Sequence, residues 1–376
     1  MAKCGIQSLS LNTSINTQIE TKKLKFHTPD INGKTKCHCI HVGKKSKPCP
    51  SLQVHGSKIP EVDKEKYLGD IISSDGKNTR NIQSRIAKGI GTIAQIISML
   101  DKITLGHHYF QSALMLRESL FINSLLTNAE IWYGISSTEM KQLEALDKSL
   151  LLRFLKSPSS TPSEAIYLEL GCLDIPTIIK SRRLNYLHYL ANLNPDEMLH
   201  RFFVAQWKYP CRQDWTEQVK SDCEDLNVPA DLAFLKSKSK NSFKKLVQKK
   251  AKEYAFMTFM EKKADHSKLK DLFYSQLSIQ NYLLGNFTVD EARLIFSFRT
   301  RMAPFKDNFR SKWDILLCPL CESHIDKQKL VFECPHTKNS ISLNIKYENI
   351  FSNAIEKETV TSLMSAMAIR NLSTSI

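Results

Sequence analysis

The sequence predicts a mainly α protein with a small α+β unit at its N-terminus and a small Cys/His knuckle near its C-terminus. Three observations predict it. Short alternating runs bounded by turn residues are confined to the first 75 residues, and from Asn78 apolar residues recur at helical spacing. Three of the ten cysteines then fall within residues 318–334.

The N-terminal elements come first. Residues 9–26, LSLNTSINTQIETKKLKF, set Leu11, Ile15, Ile19 and Leu24 near a helical period. A turn, HTPDINGKT, leads into KCHCIHV, whose alternation reads as a strand with Cys37, Cys39 and His41 on one face. That cluster is expected to pack as strand residues rather than to bind metal. SLQVHGSKIPEV and KYLGDIIS read as two further short strands, with His55-Gly56 at a hairpin turn and Asp75-Gly76 at the next turn. So few strands make a poor sheet alone.

The helices follow. NTRNIQSRIAKGIGTIAQIISMLDKI carries Ile82, Ile86, Ile90, Ile93, Ile97 and Leu100 along one stripe, with Gly89 and Gly91 marking a bend or a close helix contact. YFQSALMLRESLFINSLLTNAEIWYG and STEMKQLEALDKSLLLRFL are two more helices. In SPSSTPSEAIYLELG, Thr161 reads as an N-cap, Pro162 as the first helical residue and Glu164 as the closing member of a capping box. The expected divisions are 1–75, 76–207, a linker over 208–241, a basic helical region over 242–305, the knuckle over 306–340 and a weakly helical tail over 341–376.

Composition narrows the function classes. The 376 residues hold 53 Lys and Arg against 38 Asp and Glu, a net charge of +15 that favours an anionic partner, nucleic acid before membrane. The first residues lack the apolar core of a signal peptide, and the longest near-apolar run, GIGTIAQIISML, falls short of the roughly 18–20 residues that cross a bilayer. Ten cysteines without regular spacing point to a reducing, intracellular compartment and to thiols as metal ligands. Eight lysines lie between 236 and 252, with no acid before Glu253. Phe243, Leu246, Val247 and Tyr254 give this segment a packing side, leaving Lys244, Lys245, Lys249 and Lys250 for RNA or for a merely solubilising face.

KCHCIHVGKK, KYLGDIISSDGKN, LRESLFINSLLTNAEIWYG, STPSEAIYLELG and CPLC occur in that order between residues 36 and 321, within a resemblance that covers about residues 4–336. The series resembles the C-terminal part of the reverse transcriptases of non-LTR, LINE-like retrotransposons. The resemblance implies that residues 1–75 are the remnant of a polymerase palm and that the helices from 78 to about 155 form a thumb-like bundle. In that family paired aspartates hold two divalent ions for nucleotide addition. This chain contains no Asp-Asp pair, and the family motif would lie just before CGIQS. The expectation is a fragment without polymerase activity of its own and without Mg²⁺. Lys34 or Lys36 matches a family lysine placed to protonate pyrophosphate, or is an ordinary loop lysine. KYLGDII resembles the primer grip, with Tyr67 and Leu68 packing and Gly69 admitting the strand. Arg80, Arg85 and Lys88 share one face opposite the isoleucines and either meet phosphates or are simply solvated.

The implied partners are RNA and an RNA–DNA or DNA template–primer duplex, with no membrane and no small-molecule substrate. The implied location is a cytoplasmic ribonucleoprotein or the nucleus. The alternative is a domesticated nucleic-acid-binding protein, or a zinc-stabilised helical scaffold with no enzymatic role.

The knuckle resembles the family pattern C-x2-C-x7-8-H-x4-C. Cys318, Cys321 and Cys334 supply three ligands for a structural zinc, but Lys329 and Leu330 stand where the histidine is expected. His324 is the preferred substitute and His336 the other; without either, the site is a decayed knuckle with free thiols.

Overall fold

Apolar residues at helical spacing turn nearly all of the chain after Asn78 into helix. The computed structural model describes residues 38–42, 52–54, 57–67, 69–211, 214–341, 345–352 and 354–374. Among these are thirteen α-helices and two antiparallel strand pairs, so the fold is mainly α. The chain divides into two compact units, residues 1–84 and 85–376. The predicted helix over 9–26, Cys37, His55-Gly56, Lys34 and Lys36 lie outside the described residues.

In the first unit, β1 (Gln53–Val54) pairs with β2 (Ser57–Lys58), and β3 (Lys64–Tyr67) pairs with β4 (Asp70–Ser73), Tyr67 facing Asp70. KYLGDIIS is thus a tight hairpin rather than one strand. Gly69 carries it at φ 94°, a backbone conformation that glycine adopts without strain. Asp75-Gly76 forms the expected turn: Gly76 has φ 68° and the Lys77 amide donates to Asp75 Oδ1 at 3.0 Å. Cys39 bridges Glu61 in parallel fashion.

The helix α1 (Thr79–Leu100) buries Ile82, Ile93, Ile96 and Leu100. Its stripe differs from the predicted one: Ile90 is 58% exposed and Ile96 is buried. Steps of 100° explain this, since Ile96 and Gly89 lie closer than Ile90 to the middle of the buried face. A Cβ on Gly89 would come within 2.8 Å of Leu146, so this glycine marks a close helix contact, not a bend.

Beyond α1 come α2 (Gly106–Leu116), a π-helical turn (Arg117–Ile122) and α3 (Asn123–Leu125). Next are α4 (Ser137–Leu155), α5 (Ser163–Leu170), α6 (Ile175–Ala191) and α7 (Met198–Lys208). Thr161 does not cap α5. Its hydroxyl is buried and donates instead to the Pro158 carbonyl at 2.7 Å, closing the preceding loop.

The predicted linker is not a linker. It holds α8 (Trp215–Asp225) and α9 (Leu232–Ser237), which bury Val219, Cys223 and Leu235 against Leu184, Leu187, Phe243 and Val247. Apolar residues at 219, 223 and 226 are enough for one helix face. The α10 helix (Lys240–Ala264) follows, then α11 (Asn281–Leu284), α12 (Val289–Arg299) and α13 (Lys357–Thr374). A second core joins Phe298 of α12 and Leu363 and Met367 of α13 to Phe305 and Val331 of the cysteine region.

Buried arginines tie this unit together. Arg117 is fully buried and donates from Nε and Nη2 to both oxygens of Asp147, each at 2.7 Å; its Nη2 also reaches the Leu173 carbonyl at 2.8 Å. Burial opposes its charge, yet Asp147 holds the guanidinium well above its ordinary pKa. Arg299 pairs with Glu169 at 3.0 Å and Arg183 with Asp222 at 2.9 Å in the same manner.

Candidate metal centre

Cys318-Pro-Leu-Cys321 sits at the start of a sharp reversal. Leu317 and Ile325 form an antiparallel bridge, the Asp326 amide donates to the Leu316 carbonyl at 2.8 Å, and the Cys318 amide donates to the His324 carbonyl at 2.8 Å. The turn between them requires Glu322 at φ 51°, a left-handed conformation costly for a residue with a Cβ. Its reward is local: the Leu320 and Cys321 amides donate to Cys318 Sγ, and the Ser323 amide donates to Cys321 Sγ. Backbone donors aimed at sulfur favour thiolate, the form that ligates metal.

The third thiol arrives from the other side. A 3₁₀ turn over Gln328–Phe332 is followed by Cys334, whose amide donates to the Leu330 carbonyl at 2.7 Å. Thr337 locks this turn with a hydroxyl bond to the Val331 carbonyl at 2.7 Å. The result is a cluster in which the sulfurs of Cys318, Cys321 and Cys334 all lie within 4.8 Å of one another. Thiolates around a tetrahedral zinc are roughly 3.8 Å apart, given Zn–S bonds of about 2.3 Å, so small side-chain rotations close these three onto one ion. The three cysteines could hold a metal ion. Cys318 and Cys334 are buried and Cys321 is half-buried. Burial pushes the Cys318 thiol up, whereas the Ser323 hydroxyl, then the Ser323 amide, His324 and Cys318, bring Cys321 down to about 6.

Neither histidine belongs to this cluster of mutually close ligand atoms. His324 is exposed, with Nδ1 3.9 Å from Cys321 Sγ and 2.9 Å from Ser323 Oγ. His336 is exposed on the turn after Cys334. Lys329 points to solvent 3.8 Å from Glu333, and Leu330 is buried among Cys318, Cys334, Leu320 and Cys321. Sequence reasoning did not foresee Leu330 as part of the thiol packing, nor Glu322 and Ser323 as its turn. The sequence carries no glycine at 322 to signal that turn.

The predicted nucleic-acid residues are distributed as follows. Tyr67 is 63% exposed at the tip of the β3–β4 hairpin beside Gly69. Arg80 and Lys88 are exposed, but Arg85 is only 4% exposed, so the three do not make one solvent face. Arg85 lies about 60° round the helix from Ile82, inside the margin of the buried stripe. On α10, Phe243, Val247, Ala251, Ala255 and Phe259 form the packed seam, and Lys244, Lys245 and Lys249 are exposed. Lys250 is half-buried and donates to Glu253 at 3.0 Å, and the exposed Lys249 lies 3.8 Å from the same carboxylate. Lys245, Lys249 and Lys252 share the outer face within about 60° of arc. An open cleft of about 820 Å³ brings Arg153, Lys156 and Arg293 together, but Asp101 and Asp290 also line it, Asp290 lying 3.5 Å from Lys156 and 3.3 Å from Arg293, so the three cations face two acids and one positive charge is left over. Among the described residues no helix is long and apolar enough to cross a membrane.

Compared with known proteins, the chain matches no family model, no curated protein and no solved structure.

Proposed function

We propose that the chain is a nucleic-acid-binding part of a reverse transcriptase of the non-LTR retrotransposon type, without polymerase activity on its own, and that Cys318, Cys321 and Cys334 hold a structural zinc. The observation that carries this reading is the thiol cluster. Cysteines thirteen residues apart meet at the point in the chain where the resemblance calls for a knuckle. The donor set suits the metal: thiolates select zinc and other soft ions over Mg²⁺ or Ca²⁺. When bound, zinc supplies a fixed tetrahedral tie between the Cys318–Cys321 turn and the Cys334 turn. The chain's own part is to present the sulfurs, donate backbone N–H groups to them and seal them with Leu330.

The lysine face of α10 supports the nucleic-acid half of the reading. Lys245, Lys249 and Lys252 project from one side of a rigid helix, where they would meet phosphates without reading sequence. The test measures binding of the full chain to single-stranded RNA over a salt series, together with primed-template extension in Mg²⁺. Expected outcomes are binding that weakens steeply with salt and no nucleotide incorporation. Extension by this chain, or the absence of salt-dependent binding, would overturn the proposal.

A further inference from the structure

The three thiols define three corners of a tetrahedron, and among the described residues no fourth ligand atom joins them. The inward side is closed: Leu330 is buried against Cys318 and Cys334 and brings only methyl groups. Its neighbour Lys329 is turned to solvent beside Glu333. His324 lies close by, its Nδ1 3.9 Å from Cys321 Sγ, yet that nitrogen is already engaged by Ser323 Oγ at 2.9 Å. Its backbone is pinned as well, because its carbonyl accepts the Cys318 amide at 2.8 Å. His336 lies exposed on the far turn and outside the cluster. The accessible edge of the cluster is the half-buried Cys321.

Resting on the reading of residues 318–334 as a metal site, we infer that the ion is held by the thiolates of Cys318, Cys321 and Cys334 alone, and that its fourth coordination position opens at the Cys321 edge to an exogenous donor. The chemistry of that donor follows from the site. Three thiolates and a divalent ion carry one net negative charge, so a neutral donor (water or an imidazole) is accepted without further charge build-up. A thiol binds there by losing its proton to solvent as the metal–sulfur bond forms and the resident water leaves. Four protein ligands close a zinc site, whereas three leave one position exchangeable, so a zinc tying these two turns together would still accept an outside donor. The departure from the histidine pattern at residues 329 and 330 thus changes what the knuckle can do.

Cobalt(II) reports on this directly, because its d–d bands follow the ligand set and its sulfur-to-metal charge-transfer band follows the thiolates. The full chain is stripped of metal and titrated with Co²⁺. Expected results are one equivalent bound, loss of uptake in Cys318→Ser, and unchanged spectra in His324→Ala and His336→Ala. Imidazole or 2-mercaptoethanol added to the loaded wild type should then shift the d–d bands saturably while the charge-transfer band persists. A loaded wild type that ignores added donors, or a histidine variant with an altered spectrum, overturns the open position and leaves the metal site standing. Failure of the wild type to take up Co²⁺ or Zn²⁺ overturns both.

Discussion

The helical body around Arg117 and the cysteine region around Cys318 both bury groups that bear or acquire charge, and they resolve the problem in opposite ways. Arg117 and Asp147 are each fully buried, and each completes the other; Tyr167 Oη donates to the same carboxylate at 3.1 Å and the Leu173 carbonyl takes a further guanidinium proton. Nothing from outside is required. The cysteine region gathers three thiols with backbone donors around two of them, and deprotonating all three creates a charge that an ion has to meet. Its regular structure amounts to short 3₁₀ turns, and its thiol cluster buries Cys318, Leu330 and Cys334 as its core. One region is self-sufficient; the other could be completed by a metal ion.

The largest expected effect breaks the first region. Arg117→Ala leaves Asp147 buried without its partner and should cost about 3–5 kcal/mol in urea unfolding. The companion experiment replaces both members, Arg117→Met with Asp147→Leu, which should recover most of that loss because no charge is then stranded. A single mutant costing under about 1 kcal/mol would mean that water reaches Asp147, and the comparison would fail on its stronger side.

Breaking the second region should act locally. Zinc at a hundredfold over its dissociation constant contributes about 2.7 kcal/mol to whatever unfolds with it. Chelation, or Cys318→Ser with Cys321→Ser, should therefore abolish hydrogen-exchange protection over residues 316–338 and leave α4 and α10 protected. Protection lost together in both regions would show that the docking of Phe305 and Val331 onto α12 and α13 makes them one cooperative unit.

A smaller effect concerns the outer face of α10. Changing Lys245, Lys249 and Lys252 together to Gln should weaken single-stranded RNA binding about tenfold near physiological salt. The log–log salt slope should fall by about 2, at roughly 0.7 per phosphate contact. Lys250→Gln should do less, since Lys250 is half-buried and donates to Glu253 at 3.0 Å, whereas Lys249 is exposed and 3.8 Å from it. Equal losses from both changes would argue against a defined RNA face.

These two regions were not equally legible in the sequence. The long helices announced themselves through apolar spacing, and the three cysteines through theirs. The Arg117–Asp147 pair is separated by 30 positions, and neither residue carries a local sign that it will be buried. Arg85 was misread for a related reason: a helical wheel gives angles but not the width of the buried arc, and here that arc takes in an arginine. The linker error over 208–241 came from weighing polar composition above the few apolar positions that anchor α8 and α9. At the candidate metal centre spacing identified the thiols but not the fate of the imidazoles, because the path of the chain between Cys321 and Cys334 decides which side chains turn inward.

The smallest effect lies on α12, the helix that packs against both regions. Thr288 and Glu291 form a capping box: the Glu291 amide donates to Thr288 Oγ1 at 3.2 Å, and the Thr288 amide donates to Glu291 Oε2 at 2.7 Å. Thr288→Ala should cost about 1 kcal/mol. Lys357 of α13 also donates to Glu291 Oε2, at 2.5 Å. Burial alone would raise the Glu291 carboxyl, but the bonds from Lys357 and Thr288 outweigh it and hold the pKa below its ordinary value near 4.5. The sign follows: the stabilisation is fully present above about pH 4.5 and is lost as pH falls through the lower folded value. Wild type should therefore exceed Glu291→Gln in stability at pH 6, with the difference shrinking as pH falls below 4.5. Because Lys357 is half exposed, added salt should trim the margin. If the margin does not shrink on acidification, the shape of the side chain rather than its charge holds α12 at this end.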